Sequence, residues 1–359
     1  MILTLTPNPS QDKTVELPAA LTPGAVQRAT GATAEPGGKG VNISRALCAA
    51  NSANLAVLPG DAGDPVLTGL TDAEVTYRAL PLGQPLRTNI TITDPQGVTT
   101  KINEPGPQFD AEAAAALRAL TVDCATGAAW AALAGSLPPG MPQDFYAQLI
   151  GELRRRLGAE APKIAVDSSG TALAAAVTAA PELIKPNAEE LLELAGTLSD
   201  ETSGIGADAL EEDPVEVLRL VRMVQDHGVQ TALVTLGAYG ALLVPPKGSA
   251  TPVLRATGPA VVARSTVGAG DASLAGYLLA DASGAGAEEA LRRASAQGRA
   301  AAALPGSVMP TPDDLDLTAV VIEPFKDEPF QHEPFGVKPS EEPSDGPQDP
   351  SPDSLANEL

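Results

Sequence analysis

This chain of 359 residues is short of the side chains that most often crosslink a protein or do its chemistry. It holds two cysteines, two histidines, one tryptophan and few aromatics of any kind. Cys48 and Cys124 lie in alanine-rich, helical or buried surroundings, so a disulfide framework is excluded and a reduced, cytoplasmic setting is expected. No group of His and Cys has the spacing of a zinc site. His227 falls where a helix C-terminus favours a cation, and His332 lies near the end of the chain. Neither histidine is placed to activate Ser136, which removes a serine hydrolase. No run of about 18 apolar residues occurs, so no membrane-spanning helix is expected. Met1 to Thr6 reads as a strand without the basic start of a signal peptide. Positive charge is also scarce: the formal net charge is −22. Such a chain is excluded from non-specific nucleic-acid binding and from anionic membrane surfaces. It would also repel a phosphorylated ligand, unless a few local cations or a divalent ion override the global field.

Alanine and glycine are plentiful. From about residue 105, short apolar strands alternate with helical patterns. Trp130–Leu133, Ile164–Val166, Leu183–Ile184 and Ala232–Thr235 read as strands; 110–120, 143–157, 187–194 and 213–227 read as helices. Asp213-Pro214 with Glu216 starts the last of these, with proline in its first turn. Two further helices cover about 271–281 and 287–303. This alternation predicts a parallel α/β sheet with helices on both faces. Ligands then sit beyond the carboxyl ends of the strands, where Ser136, Asp167, Asn187, Gly237 and Gly270 fall. The first third differs. Arg87–Thr93, a turn at Asp94-Pro95-Gln96-Gly97, and Val98–Asn103 read as a hairpin. With Thr14–Leu17 and Val26–Thr33 it predicts a small β-sheet lid, drawn from segments near 11–34 and 86–104. Residues 323–359 are a different material, with eight prolines and ten acidic residues against two lysines. A disordered acidic tail is expected beyond a domain covering 1–322. Its repeated Glu-Pro-Phe, carrying Phe325, Phe330 and Phe335, leaves a partner-docking motif as the other reading.

Two glycine motifs carry the chemistry. In Val267-Gly268-Ala269-Gly270-Asp271, a glycine turn enters a helix, which suits an anion. A carboxylate there would repel that anion. Two readings are open: Asp271 caps the helix, or it takes a proton from a hydroxyl that attacks the bound phosphate. Gly37-Gly38-Lys39-Gly40-Val41-Asn42 allows close backbone approach and adds a cation and an amide. It is not a Walker A loop, because no Ser or Thr follows the lysine. Gly268-Ala269-Gly270 is also not a dinucleotide fingerprint, since Ser273 stands where a third glycine belongs.

Taken in order, these motifs make the chain resemble the PfkB (ribokinase-like) carbohydrate kinases over about residues 1–322. Thr6-Pro7-Asn8-Pro9-Ser10-x-Asp12, Ala134-Gly135-Ser136-Leu137-Pro138-Pro139-Gly140, Lys185-Pro186-Asn187-x-x-Glu190 and Met309-Pro310-Thr311-Pro312 resemble that family's phosphosugar branch. The resemblance implies a three-layer α/β/α fold with a mostly parallel central sheet and a β lid. It implies Asp271 as general base, with Gly268, Ala269 and Gly270 as the anion hole for the γ-phosphoryl group. Asp12 would accept from sugar hydroxyls, Gly38, Lys39 and Asn42 would hold the sugar phosphate end, Ser136 would be a further substrate contact, and Arg87 and Lys101 would bind the existing phosphate. Lys185, Asn187, Thr235, Gly237, Gly240 and Gly270 would face ATP, with Mg2+ linked to Asn187 and Glu190 through water. Apolar positions near Ala301 and Val308 would hold the adenine. The expected reaction is ATP-dependent phosphorylation of fructose 1-phosphate at its C6 hydroxyl. Tagatose 6-phosphate or fructose 6-phosphate is the alternative acceptor, and a non-catalytic phosphosugar sensor is the alternative of another class. A homodimer paired through the lid is also implied. Gln11 departs from the branch, which has an apolar residue before Asp12.

Overall fold

A computed structural model describes residues 1–199 and 204–325. Ten strands form one sheet, in the order β5 (Tyr77–Leu80), β4 (Asn54–Pro59), β1 (Ile2–Leu5), β8 (Trp130–Ala134), β9 (Lys163–Asp167), β10 (Leu183–Ile184), β11 (Thr231–Thr235), β12 (Ala241–Val244), β13 (Leu254–Thr257) and β14 (Val321–Pro324). Every pairing from β5 to β11 is parallel, and those from β11 to β14 are antiparallel. The central strands are short and apolar because both of their faces are covered.

Helices α3 (Ala111–Cys124), α4 (Phe145–Leu157), α5 (Gly170–Val177), α6 (Ala188–Leu198), α7 (Ala207–Glu211) and α8 (Pro214–Gln225) cover one face. On the other, α1 (Lys39–Ala49), α9 (Ala269–Ala282) and α10 (Ala287–Ala303) pack on the sheet. The period-two rule is visible along β1: Leu3 and Leu5 enter the first core, Ile2 the second. A smaller cluster joins Val41 to Leu58, Val66 and Leu70, the last two from α2 (Pro65–Asp72). The result is the expected three-layer α/β/α fold.

Four strands make a second sheet, in the order β3 (Gly31–Gly37), β2 (Ser10–Glu16), β6 (Arg87–Thr93) and β7 (Thr99–Asn103). This is the expected lid, with β2 and β3 set a few residues away from the segments read in the sequence. The hairpin of β6 and β7 is antiparallel, and β6 runs parallel to β2.

The boundary expected after residue 322 falls inside an edge strand. Glu323 pairs with Arg255 and Pro324 with Leu254, and the Phe325 N–H donates to Val253 O at 2.8 Å. Proline is tolerated there because an edge strand leaves one side of its backbone unpaired. The first Glu-Pro-Phe is therefore part of the sheet; Phe330, Phe335 and the rest of the acidic segment lie outside the described residues.

The alanine-rich composition has a packing purpose at α9 and α10. A Cβ on Gly276 would sit 2.8 Å from Arg293 O and 3.1 Å from Ala294 Cα, backbone atoms of α10 that cannot easily shift. Gly276→Ala should cost about 1–3 kcal/mol by overpacking, read as a lower urea midpoint with an unchanged m-value.

Candidate active site

Chain direction builds the site. Strands β1, β8, β9, β10 and β11 run parallel, so their carboxyl ends open on one side of the sheet. Thr6, Gly135 and Ser136, Asp167, Lys185 and Thr235 stand at those ends. A cavity of about 810 Å³ lies there, lined by Lys39, Lys185, Asn187, Glu190, Thr235, Gly237, Gly240, Gly268, Gly270 and Asp271 among others.

Asp167, the last residue of β9, has no exposed surface. Lys39 Nζ donates to its Oδ1 at 2.7 Å, and Lys185 Nζ lies 3.1 Å from its Oδ2. Lys39 also donates to Glu190 Oε1 at 2.7 Å. Burial pushes the Asp167 carboxyl up, but Lys185 and Lys39 outweigh it and hold Asp167 below its ordinary range. Burial likewise pushes the Lys39 ammonium down, yet Asp167 and Glu190 keep it above the usual lysine range. Both groups stay charged. Lys39, expected at the sugar phosphate, thus has its charge committed to two carboxylates.

Helix α6 starts with a capping box: Asn187 Oδ1 accepts from Glu190 N at 2.8 Å, and Glu190 Oε2 accepts from Asn187 N at 3.0 Å. Asn187 and Glu190 therefore have a structural reason to be where they are. Their side of the cavity still presents an amide and a carboxylate.

Helix α9 begins with Gly268 at φ 77°, a left-handed turn that favours glycine. Ala269 and Gly270 in the first turn then line the cavity, the Ala269 N–H donating to Thr266 O at 3.4 Å, and the Lys185 ammonium lies beside Gly270, 3.2 Å from where a Cβ would be. Asp271 is in the same turn and buried. Its Oδ2 accepts a 2.8 Å hydrogen bond from Asn42 Nδ2 on α1, so its carboxylate is tied to a neighbouring helix. Burial, then the Asp167 charge, push the Asp271 carboxyl up to about 6, against the opposing pull of Lys39, Asn42 and Lys185.

A second polar group lies where the lid meets the main domain. Ser10 Oγ donates to Asp12 Oδ1 at 2.7 Å, and Asn89 Nδ2 donates to both residues at 3.0 Å. Gly37 is needed here, because a Cβ would come within 2.1 Å of Asp12 Oδ2. Gly38 follows as the N-cap of α1. Asn8 Nδ2 donates to Pro105 O at 3.1 Å and to Ser136 Oγ at 3.4 Å. Arg87 pairs in register with Ser10, two residues before the Asp12–Asn89 pair. Lys101 pairs with Thr91 and is exposed, about 14 Å farther along the strand than Arg87. Arg87 is the cation beside Asp12. Gln11 alternates to the face opposite Asp12 and leaves that carboxylate's surroundings intact.

On the far side of the cavity, Gly240 is required by the sheet itself, since a Cβ would lie 2.0 Å from Ala256 O. Ala301 is buried in the core and Val308 is exposed; the apolar cavity wall is formed by Ala302, Val261 and Ala263. Asn89 and Arg45 carry no motif, and only the tertiary contacts single them out.

A crevice at the carboxyl ends of a parallel sheet, between a glycine-opened helix start and a small polar β-sheet, defines a class, the ribokinase-like sugar kinases. The sequence pattern of the pfkB family carbohydrate kinases matches residues 8–314, and the chain belongs to that family. It is 36% identical to a 1-phosphofructokinase of Rhodobacter capsulatus, over 88% of this chain and 94% of the relative. The phosphofructokinase-2 of Escherichia coli in complex with fructose-6-phosphate superposes with a TM-score of 0.75 at 28% identity, covering 87% of this chain and 96% of that one. A ribokinase from Thermotoga maritima shares the fold, with a TM-score of 0.67 at 18% identity over 88% of this chain and 97% of that one.

Asp167 compensates two lysines without contact with water. Asp167→Asn keeps its shape but strands the Lys185 charge, which is 4% exposed. A loss of about 3–5 kcal/mol in unfolding free energy is expected, measured by urea titration against wild type.

Proposed function

We propose that this protein is an ATP-dependent kinase that phosphorylates fructose 1-phosphate at its C6 hydroxyl, giving fructose 1,6-bisphosphate. The observation that carries the chemistry is Asp271: a buried carboxylate with a raised pKa, held by Asn42 beside the start of α9. The choice of acceptor rests on the 1-phosphofructokinase relative.

In this reading the sugar lies between the lid and the main domain. Asp12, Asn42 and Ser136 hold its hydroxyls, Arg87 meets its existing phosphate, and Gly38, Lys39 and Lys101 complete the surroundings. The C6 hydroxyl points at Asp271, which accepts its proton as the oxygen attacks the γ-phosphorus. Transfer is direct and in line, and ADP leaves with the displaced oxygen. Gly268, Ala269 and Gly270 direct backbone N–H groups at the oxygens where charge accumulates, and Lys185 stands behind them. Thr235, Gly237, Gly240 and Asn187 face the nucleotide.

Among the described residues no group of three His, Cys, Asp or Glu could hold a metal ion. Glu190 is already committed to Lys39 and to its own capping box. The donor set fits Mg2+ carried on the nucleotide phosphates and met through water by Asn187 and Glu190, not a protein cage. Bound there, magnesium would neutralise charge on the β and γ oxygens.

Among the described residues no helix is long and apolar enough to cross a membrane, and Cys48 and Cys124 are free. Both observations suit a cytoplasmic enzyme. Val98 and Ile102 are exposed apolar side chains at the lid hairpin, which supports pairing of two copies through the lid.

Asp271→Asn should fold normally, bind ATP and lose about two to four orders of magnitude in kcat. In the wild type only the ionised carboxylate can take a proton. Activity should therefore fall as pH drops through about 6, well above the range of an ordinary aspartate. A kcat near wild type in D271N removes Asp271 from the base role.

The solved relative in complex with fructose-6-phosphate favours a second acceptor. A coupled ADP-release assay with fructose 1-phosphate, fructose 6-phosphate and tagatose 6-phosphate decides between them. The highest kcat/KM is expected for fructose 1-phosphate, and the absence of ADP formation with all three would return the protein to a sensor role.

A further inference from the structure

Asn42 touches the Asp271 carboxylate, and something must decide which end of its amide does so. A carboxamide has a donor end and an acceptor end of nearly equal shape. With Nδ2 toward Asp271, the carboxylate gains a hydrogen bond; with Oδ1 toward it, two acceptors would oppose each other. Nδ2 faces Asp271 Oδ2 at 2.8 Å, and Oδ1 accepts a long bond, 3.5 Å, from Arg45 Nη1. Arg45 lies three residues along α1 from Asn42, on the same helix face. Its side chain is only 12% exposed, so it is not a solvated surface cation.

The guanidinium is itself held in place. Arg45 Nη1 also donates to Pro36 O and to Ser307 Oγ, each at 3.2 Å. Arg45 Nη2 pairs with Glu35 Oε2 at 3.4 Å, and Ser307 Oγ donates to the same carboxylate. Glu35 and Pro36 belong to lid strand β3, while Ser307 follows α10. A continuous polar path thus runs from the lid, through Arg45 and Asn42, to Asp271.

We propose that Arg45 is a positioning residue, which orients the Asn42 amide toward Asp271 and makes the aim and basicity of Asp271 depend on the position of lid strand β3. The inference rests on the reading of Asp271 as the base and adds a device that couples lid and base. Arginine keeps its proton at any working pH, so the lock does not itself titrate. A hydrogen bond to the ionised carboxylate favours that form, so losing it moves the Asp271 carboxyl to higher pH. The other charged groups around Asp271 are Asp167 at the end of β9, Lys39 on α1 and Lys185 after β10. All three stay in place when Arg45 is replaced.

The test is the pH profile of kcat/KM for fructose 1-phosphate under saturating ATP and magnesium, with the intact protein. The substrate phosphate titrates near pH 6 in every case, so only differences between variants are read. R45M should lower kcat about tenfold or more, with KM for ATP nearly unchanged, and move the acid limb up by about half a unit. R45K, which keeps a cationic donor, should recover most of both. E35Q, on the lid strand, should move the limb the same way by less. An R45M enzyme that folds and keeps the wild-type limb overturns the inference. If R45M does not fold, an unmoved limb in E35Q overturns it instead. D271N separates the two layers: an active D271N removes the base reading itself, whereas an inactive D271N with an unmoved R45M limb removes only the role of Arg45.

Discussion

Asp167 lies at the carboxyl end of β9 with no exposed surface, and two lysines meet it there. A buried anion left alone would cost several kcal/mol, so the elements that carry its partners are not free to drift. Lys39 brings the start of α1 to this point, and Lys185 brings the end of β10. Lys39 continues to Glu190, whose other oxygen closes the first turn of α6. The chain ends that surround the cavity are thus registered on one ionic cluster. Asn42, one turn beyond Lys39 on α1, then reaches Asp271 and ties α9 into the same frame.

That cluster also explains how a strongly acidic protein can handle phosphates. Lys39 and Lys185 together oppose Asp167 and Glu190, so the centre is close to neutral instead of strongly cationic. Beside it, a helix start opened by glycine and the Lys185 ammonium next to Gly270 make an arrangement that suits an anion. The same crowding raises Asp271, because Asp167 is near and water is excluded. A carboxylate that ionises near neutrality is better suited to accept a proton than one that ionises at ordinary aspartate values.

Two polar groups mark the second sheet. Asp12, Ser10 and Asn89 bond to one another within it, whereas Glu35 on β3 pairs with Arg45 of α1 and accepts from Ser307, which ties the sheet to the main domain. Both lie beside the glycine pair Gly37-Gly38, where the chain leaves the second sheet and enters α1.

The α/β alternation, the hairpin and the two glycine motifs were legible in the sequence because each is local. A parallel α/β fold follows from strand–helix periodicity, and an anion site follows from glycines that open a helix. Asp271 could be singled out, but not told from a helix cap, since both readings use the same four residues. The edge strand β14 was hidden, because Glu-Pro-Phe beside an acidic run has the composition of a tail and only its pairing with β13 makes it sheet. Arg45 and Asn89 were hidden as well; a lone arginine on a helix and a lone asparagine in a strand carry no pattern. By itself the sequence determined the order of the elements and the residue types offered at the strand ends. Tertiary structure alone decided the partners: that Lys39 is spent on Asp167 and Glu190, that Asn42 holds Asp271, and that Lys101 stands away from Arg87. Periodicity constrains neighbours three or four residues apart, whereas these contacts join residues up to 229 positions apart and exist only once the sheet has set the helix starts side by side.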